Sequence, residues 1–391
     1  MTYSVYQHWD PLEVCVVGRG YSPQFYSYIK NNKVRAVFEK IAEETEEDFQ
    51  SLIKLLESFK VEVIRPEVSD DYEFYLNQGG SIKPPPMTPR DYSLMLGDQF
   101  YFNYAQRATF DAGQATWDQL KGADWPPNCP TTIEEVAELP DWVFDELLAI
   151  KADSELTDIN FTWKTLLDRT KDQRGDISSK ESMYFAGDLN AATYTRVGRD
   201  IYAGTQHYKQ DISEKIKWLN LNKPQYRWHS VDTGGHNDGT FCPVKPGLIV
   251  SLNDIPTYAK TFPDWEVVYL PGQSWEAVAP FLDLKRKNMG KWWVPGEELN
   301  DDFTNYVEQW MSHWVGYVEE TVFDVNMLVI DEKNVVCNNY NKQVFDAFDR
   351  HGITPHIVNF RHRYFWDGGL HCITSDISRK GTMQDYFPER G

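Results

Sequence analysis

Near the C-terminal end of the chain a histidine and a cysteine stand side by side behind two glycines, in Gly368-Gly369-Leu370-His371-Cys372-Ile373-Thr374. A thiolate is the strongest nucleophile an ordinary side chain offers, and glycines let backbone approach a ligand closely. The same run also suits a packed strand in which the cysteine is a small buried hydrophobe. Two more polar clusters interrupt apolar stretches: Pro89-Arg90-Asp91, and Gly234-Gly235-His236-Asn237-Asp238-Gly239. His236 and Asp238 are two apart, so an extended backbone would turn both to one side. A histidine titrates near neutrality and can serve a thiol nucleophile as acid and base. Carboxylates that are not the base suit a cationic ligand, which they hold by charge-assisted hydrogen bonds. Taken singly, His236 reads as a turn residue and Asp91 as the ion-pair partner of Arg90.

Composition narrows the chemistry. The 391 residues carry a net charge of −20, which disfavours nucleic acid and anionic membrane as partners because both need a basic footprint. A hydrophobic share of 41% and an aromatic share of 15% can build a large core, which sets the chain apart from disordered sequences. The five cysteines (Cys15, Cys129, Cys242, Cys337 and Cys372) are widely spaced and form no zinc-type motif. That pattern suits free thiols in a reducing compartment, so a cytoplasmic location is expected. The opening MTYSVYQHWD has no basic stretch followed by an apolar core, and no apolar run approaches the ~20 residues that span a bilayer.

The elements that must position these residues are of α/β type. Val14-Cys15-Val16-Val17 reads as a buried strand, Val34 to Phe59 as a long amphipathic helix, and Val61 to Ile64 as a second strand. A strand pair turning at Gly97-Asp98 follows. Residues 113–182, rich in Trp, Pro and acidic residues, read as a peripheral insertion with short helices near 131–138 and 142–151. Strand signals resume at Met183–Phe185, Ala191–Tyr194 and Val197–Ile201, with a helix over about 205–219. Further strands are expected at 240–244, 248–252, 265–270, 326–330, 335–337, 354–358 and 370–374, with helices near 275–284 and 342–350. Short strands returning in pairs around one helix suit a closed or radial arrangement better than a doubly wound sheet.

Taken together and in this order, the segments resemble the amidinotransferases of the guanidino-group-modifying superfamily, most closely in pattern the glycine amidinotransferase branch. The resemblance rests on WDPLEVCVVGR at 9–19, PRD at 89–91, AATYTRVGRDIY at 191–202, and HNDGTF with PGLIVS within 236–251. It continues through NMLVIDEKNVV at 326–336 and GGLHCITSDISRKGT at 368–382. It implies a single domain over 1–391, an α/β propeller of five ββαβ units in pseudo-fivefold array, whose units each lend groups to a central pit. It further implies Cys372 as the nucleophile, His236 as the alternating acid and base, and Asp91, Asp238, Gly369 and His371 as substrate-binding residues. The substrates implied are a guanidine donor, arginine by default, and a primary amine acceptor such as glycine, with no metal or organic cofactor and a possible homodimer. A hydrolase of the same superfamily, in which water takes the amidino group, uses the same residues. A non-catalytic binder of guanidinium or amine ligands is a third reading. The WDPLEV opening and the GGLHCITSDISRKG ending favour the transferase.

The chain departs from the pattern at two places. Where the family carries an aspartate before two alanines, this chain has Leu189-Asn190-Ala191-Ala192, so Asn190 occupies a catalytic position with a carboxamide that brings no charge. Asp188 lies two residues earlier. The positions that grip the donor's α-carboxylate fall, counted without gaps, on Ile255, Glu319 and Glu320. Isoleucine cannot hold a carboxylate and glutamate repels one, which points to a donor such as agmatine unless the loops differ in length.

Overall fold

The computed structural model describes residues 2–70, 83–103, 114, 117–118, 124–156, 161–187, 189–205, 209, 211–252, 258–270, 292–315, 325–366 and 368–391. Within these, one connectivity recurs: an antiparallel strand pair, a helix, and a third strand parallel to the second. Strand β1 (Leu12–Val17) lies between β16 (Thr374–Arg379), antiparallel to it, and β2 (Glu62–Ile64), parallel to it. Helix α1 (Asn32–Ser58) makes the crossover from β1 to β2. The pattern repeats in β7 (Tyr194–Val197), β8 (Asp200–Gly204) and β9 (Arg227–Val231). It returns in β10 (Phe241–Lys245), β11 (Leu248–Ser251) and β12 (Glu266–Tyr269), and again in β13 (Leu328–Asp331), β14 (Asn334–Cys337) and β15 (Thr354–Ile357). A hairpin of β4 (Ser93–Leu96) and β5 (Gln99–Phe102) turns at Gly97, whose φ of 58° is a conformation glycine adopts freely. Strands β3 (Glu67–Val68) and β6 (Phe161–Thr162) pair antiparallel.

Strand β1 is apolar on both faces because it is covered on both sides. In β1, Leu12, Cys15 and Val17 belong to the core beneath α1, while Val14 and Val16 pack with Ile64, Met95 and Ile377. Helix α1 buries Val34, Phe38, Ile41, Phe49, Leu52 and Leu56, the stripe its sequence spacing requires. Asn31 caps its start by accepting from the backbone amides of Lys33 and Val34. Helix α2 (Asp141–Leu156) lies in the 113–182 region, where Trp117, Trp125, Val136, Val143 and Leu147 form their own cluster with Met183. No helix among the described residues is long and apolar enough to cross a membrane.

Several expected strands are something else. Met183–Phe185 lies in a helix, Lys180–Ala186, that Ser179 starts by accepting from the amide of Ser182. Ala191–Thr193 forms a turn, held by Asn190 Oδ1 accepting from the amide of Thr193 at 2.9 Å. Leu370–Ile373 is also a turn, and β16 begins only at Thr374, whose hydroxyl bonds the Leu370 carbonyl at 2.9 Å. The expected helix over 205–219 starts later, as α3 (Ser213–Asn222), whereas α4 (Lys342–Arg350) stands where expected. The helix expected near 275–284 lies outside the described residues.

Candidate active site

Each recurring strand pair is preceded by a short segment that carries a polar residue. Asp91 stands ahead of β4, Asn190 ahead of β7, His236 and Asp238 ahead of β10, Asn326 ahead of β13, and Cys372 ahead of β16. These segments are tied to one another. The Ala191 amide donates to the carbonyls of Arg90 (3.1 Å) and Ser93 (2.9 Å), and the Ala192 carbonyl accepts from the Asn237 amide at 2.8 Å. Asn326 then joins the Asp238 segment to the Cys372 turn, since its Nδ2 donates to the Asp238 carbonyl at 3.2 Å and its Oδ1 accepts from the Cys372 amide at 3.1 Å.

Cys372 is 8% exposed. Its Sγ lies 3.0 Å from Asn326 Nδ2 and 3.4 Å from Asp238 Oδ2. The same Asp238 oxygen meets His371 Nδ1 at 2.9 Å. Burial, followed by the nearby Arg90 guanidinium, pushes the His371 imidazole down to about 4, against the pull of Asp238. His371 is therefore neutral at pH 7, and its Nδ1–H donates to an ionised Asp238. Burial by itself would raise the Asp238 carboxyl, but the hydrogen bond from His371, followed by charge interactions with His371, His236 and Arg90, holds it below the ordinary carboxylate range. The other oxygen, Asp238 Oδ1, is buried and has no hydrogen-bond partner among the described residues. A buried carboxylate oxygen without a donor costs about 1–3 kcal/mol or more, and a cationic N–H donor beside the sulfur would relieve it.

His236 and Asp91 form the accessible side of the cluster. His236 Nδ1 stands 3.9 Å from Asp91 Oδ1, with side chains 38% and 30% exposed. The His236–Asp238 segment is not extended. Asn237–Gly239 is a short helical turn, so Asp238 points into the protein and His236 outward, correcting the same-side expectation. Arg90 does not pair with Asp91. Its buried guanidinium holds the Cys372 turn from behind, Nε donating to the carbonyls of His371 and Thr374 at 2.8 Å each, and Nη2 lies 3.1 Å from Asp376. Arg196 and Arg379 complete the surroundings of Asp376, each within 2.7 Å of one of its oxygens.

The two glycines serve packing next to the sulfur. A Cβ at Gly369 would fall 2.6 Å from Asn326 Oδ1, and one at Gly368 would fall 3.0 Å from Cys372 Cβ. Asn190 is buried, with its carboxamide oxygen engaged by the turn it caps. Glu319, Glu320, Ile255 and Asp188 lie outside the described residues. Sequence reasoning assigned no role to Asn326, Arg196, Arg379 or Asp376, and gave Arg90 only that of an ion-pair partner for Asp91. The signal for Asn326 was present as a lone amide in the apolar run Val325-Asn326-Met327-Leu328. No group of His, Cys, Asp and Glu side chains among the described residues is arranged to hold a metal ion.

A cysteine, a histidine and carboxylates thus stand together ahead of successive strand pairs. No protein-family model matches the chain. It is 26% identical over 411 residues to the mitochondrial glycine amidinotransferase of Xenopus tropicalis, covering 98% of this chain and 84% of that protein. To the L-arginine:L-lysine amidinotransferase of Pseudomonas savastanoi pv. phaseolicola it is 22% identical, covering 98% and 96%. The fold is that of the inosamine-phosphate amidinotransferase of Streptomyces griseus, at 18% identity, TM-score 0.54 and coverage of 98% and 99%. The amidinotransferase of saxitoxin biosynthesis from Microseira wollei shares it at 19% identity and TM-score 0.52, with the same coverage. Over nearly its whole length the chain is thus similar to named amidinotransferases, which are transferases.

Proposed function

We propose that this protein moves an amidino group from a guanidine donor to a primary amine through an amidino-Cys372 intermediate. The observation that carries the reading is the Asp238 carboxylate, with Oδ2 3.4 Å from Cys372 Sγ and Oδ1 buried without a donor among the described residues. A guanidinium seated there offers N–H groups to Oδ1 and sets its central carbon against the sulfur. The Cys372 thiolate attacks that carbon, forming an S–C bond. His236 gives a proton to the departing nitrogen as the C–N bond breaks, and the donor leaves as a neutral amine. The incoming amine then attacks the S-bound carbon and loses a proton to His236, and the S–C bond breaks to restore the thiolate. Asp91, beside His236 on the accessible side, is placed to hold guanidinium or amine N–H groups.

The four repeats of strand pair, helix and parallel strand, with the β4–β5 hairpin as a fifth strand pair, support a pseudo-fivefold propeller around these segments. The separate cluster of Trp117 to Leu147 supports an excursion over 113–182 from a single domain. Five buried cysteines, none of them joined in a disulfide, support a reducing, cytoplasmic setting.

The test is incubation with arginine or with agmatine, each with a panel of primary amines, following both products by mass spectrometry. Transfer predicts one amine that gains the amidino group in step with loss of the donor. Formation of a ureido product without any amine would make the protein a hydrolase, and no consumption of either donor would make it a binder. Preference for agmatine is the expected result if the donor's α-carboxylate has no partner. Equal turnover, or preference for arginine, contradicts that choice of donor.

A further inference from the structure

Among the segments that precede the strand pairs, the one ahead of β13 was given no chemical role, yet its amide lies 3.0 Å from the sulfur, nearer than the Asp238 carboxylate at 3.4 Å. Asn326 is fully buried. Its Oδ1 accepts from two successive amides, those of His371 at 2.8 Å and Cys372 at 3.1 Å. This orients the carboxamide: with Oδ1 fixed by two donors, Nδ2 is necessarily the donor face. Nδ2 points to Cys372 Sγ at 3.0 Å and to the Asp238 carbonyl at 3.2 Å. The fit is tight, because the missing side chain of Gly369 is what leaves room for Oδ1.

We propose that Asn326 is a further catalytic residue, whose amide N–H stabilises the Cys372 thiolate while its carbonyl oxygen locks the nucleophile turn in place. As a thiol, Cys372 can donate its proton to Asp238 Oδ2 at 3.4 Å. As a thiolate it faces that carboxylate as a like charge, and a donor on another side of the sulfur is then needed to favour the ionised form. Asn326 supplies that donor, and a hydrogen bond to a charged acceptor outweighs one to a neutral acceptor. The same N–H also favours the thiolate as leaving group when the amine displaces it. The inference rests on Cys372 being the nucleophile of the proposed reaction.

The test replaces Asn326 with its isostere. Asn326→Asp keeps an oxygen for the two backbone amides but puts an acceptor where the sulfur needs a donor. The rate of Cys372 alkylation by iodoacetamide is followed by mass spectrometry from pH 5 to 10 in the wild type and the variant. This reads thiolate formation without any guanidine substrate, so failure of amidino transfer and failure of this inference are distinguishable. The expected result is a midpoint raised by about one pH unit or more, hence about tenfold less thiolate near neutrality, with the limiting high-pH rate retained. An unchanged midpoint, even with activity lost, would make Asn326 structural only and overturn the proposal. Gly369→Ala is the second route if Asn326→Asp does not fold. Its added methyl meets Asn326 Oδ1 and displaces the carboxamide, and it should raise the midpoint in the same direction; an unchanged midpoint there overturns the proposal equally.

Discussion

His371 shows how burial rather than charge count sets protonation at this site. Its imidazole is pushed down to about 4 from an ordinary 6.5, so the unfolded chain takes up a proton over that window and the folded protein does not. Stability therefore rises with pH between about 4 and 6.5 and falls on acidification, by roughly 3 kcal/mol from this residue at full effect. Urea unfolding at steps from pH 7 to pH 4 should show a clearly shallower acid loss in His371→Gln than in the wild type. Identical slopes would mean that His371 does not carry this effect. At the reacting atoms, Asp238→Asn retains the size of the side chain but removes its charge. Donor turnover should fall at least ~100-fold with Cys372 still alkylated, because a cationic substrate loses its buried counter-charge. The residue scale is also where sequence reading was most informative. Cys372, His236, Asp91 and Asp238 were singled out by type and neighbours, and all occupy the connected segments ahead of the strand pairs. Asn326 was not assigned a role, since a lone amide in an apolar run marks a position without saying what it bonds until its partners are known.

At the scale of elements, the sequence stated its long amphipathic helices clearly and its turns poorly. Helix α1 was legible because its apolar stripe runs for many turns, whereas Leu370–Ile373 and Ala191–Thr193 looked like strands because they are apolar and short. What makes them turns is a handful of hydrogen bonds from Thr374, Asn190 and Asn326, which periodicity cannot register. The end of α1 supplies a sharp prediction. Val61 N–H bonds the Leu56 carbonyl at 3.1 Å and Lys60 N–H the Glu57 carbonyl at 2.8 Å, which places Lys60 in the left-handed position of a Schellman cap with φ of 65°. A lysine there is strained where glycine is not. Lys60→Gly should raise unfolding free energy by about 1 kcal/mol with kcat unchanged, read from chemical denaturation beside an activity assay. Loss of stability would show that the lysine side chain contributes more than its backbone strain costs.

Across the whole molecule, distant parts of the chain are tied by one buried carboxylate. Asp376, on β16, holds Arg196 from β7, Arg379 further along β16, and Arg90 from the segment ahead of β4. Burial alone would raise it, yet Arg196, Arg379 and Arg90 in that order hold it well below the usual carboxylate range. Asp376→Asn would leave three buried guanidiniums facing a neutral amide. A loss of about 3–5 kcal/mol in unfolding free energy is expected from denaturant titration, together with loss of donor turnover because Arg90 no longer braces the Cys372 turn. A change within ~0.5 kcal/mol would contradict the central place given to this ion cluster. None of this assembly was legible in the sequence, because its members lie in segments brought together only when strand pairs from both ends of the chain meet.

The most direct test of the account is the mass of Cys372 after the protein has met a guanidine donor without an acceptor. The account predicts that a peptide containing Cys372 gains one amidino group, that the gain disappears on adding the acceptor amine, and that Cys372→Ser shows none. A donor consumed while Cys372 stays unmodified, with the same rate in Cys372→Ser, would contradict covalent transfer through this sulfur.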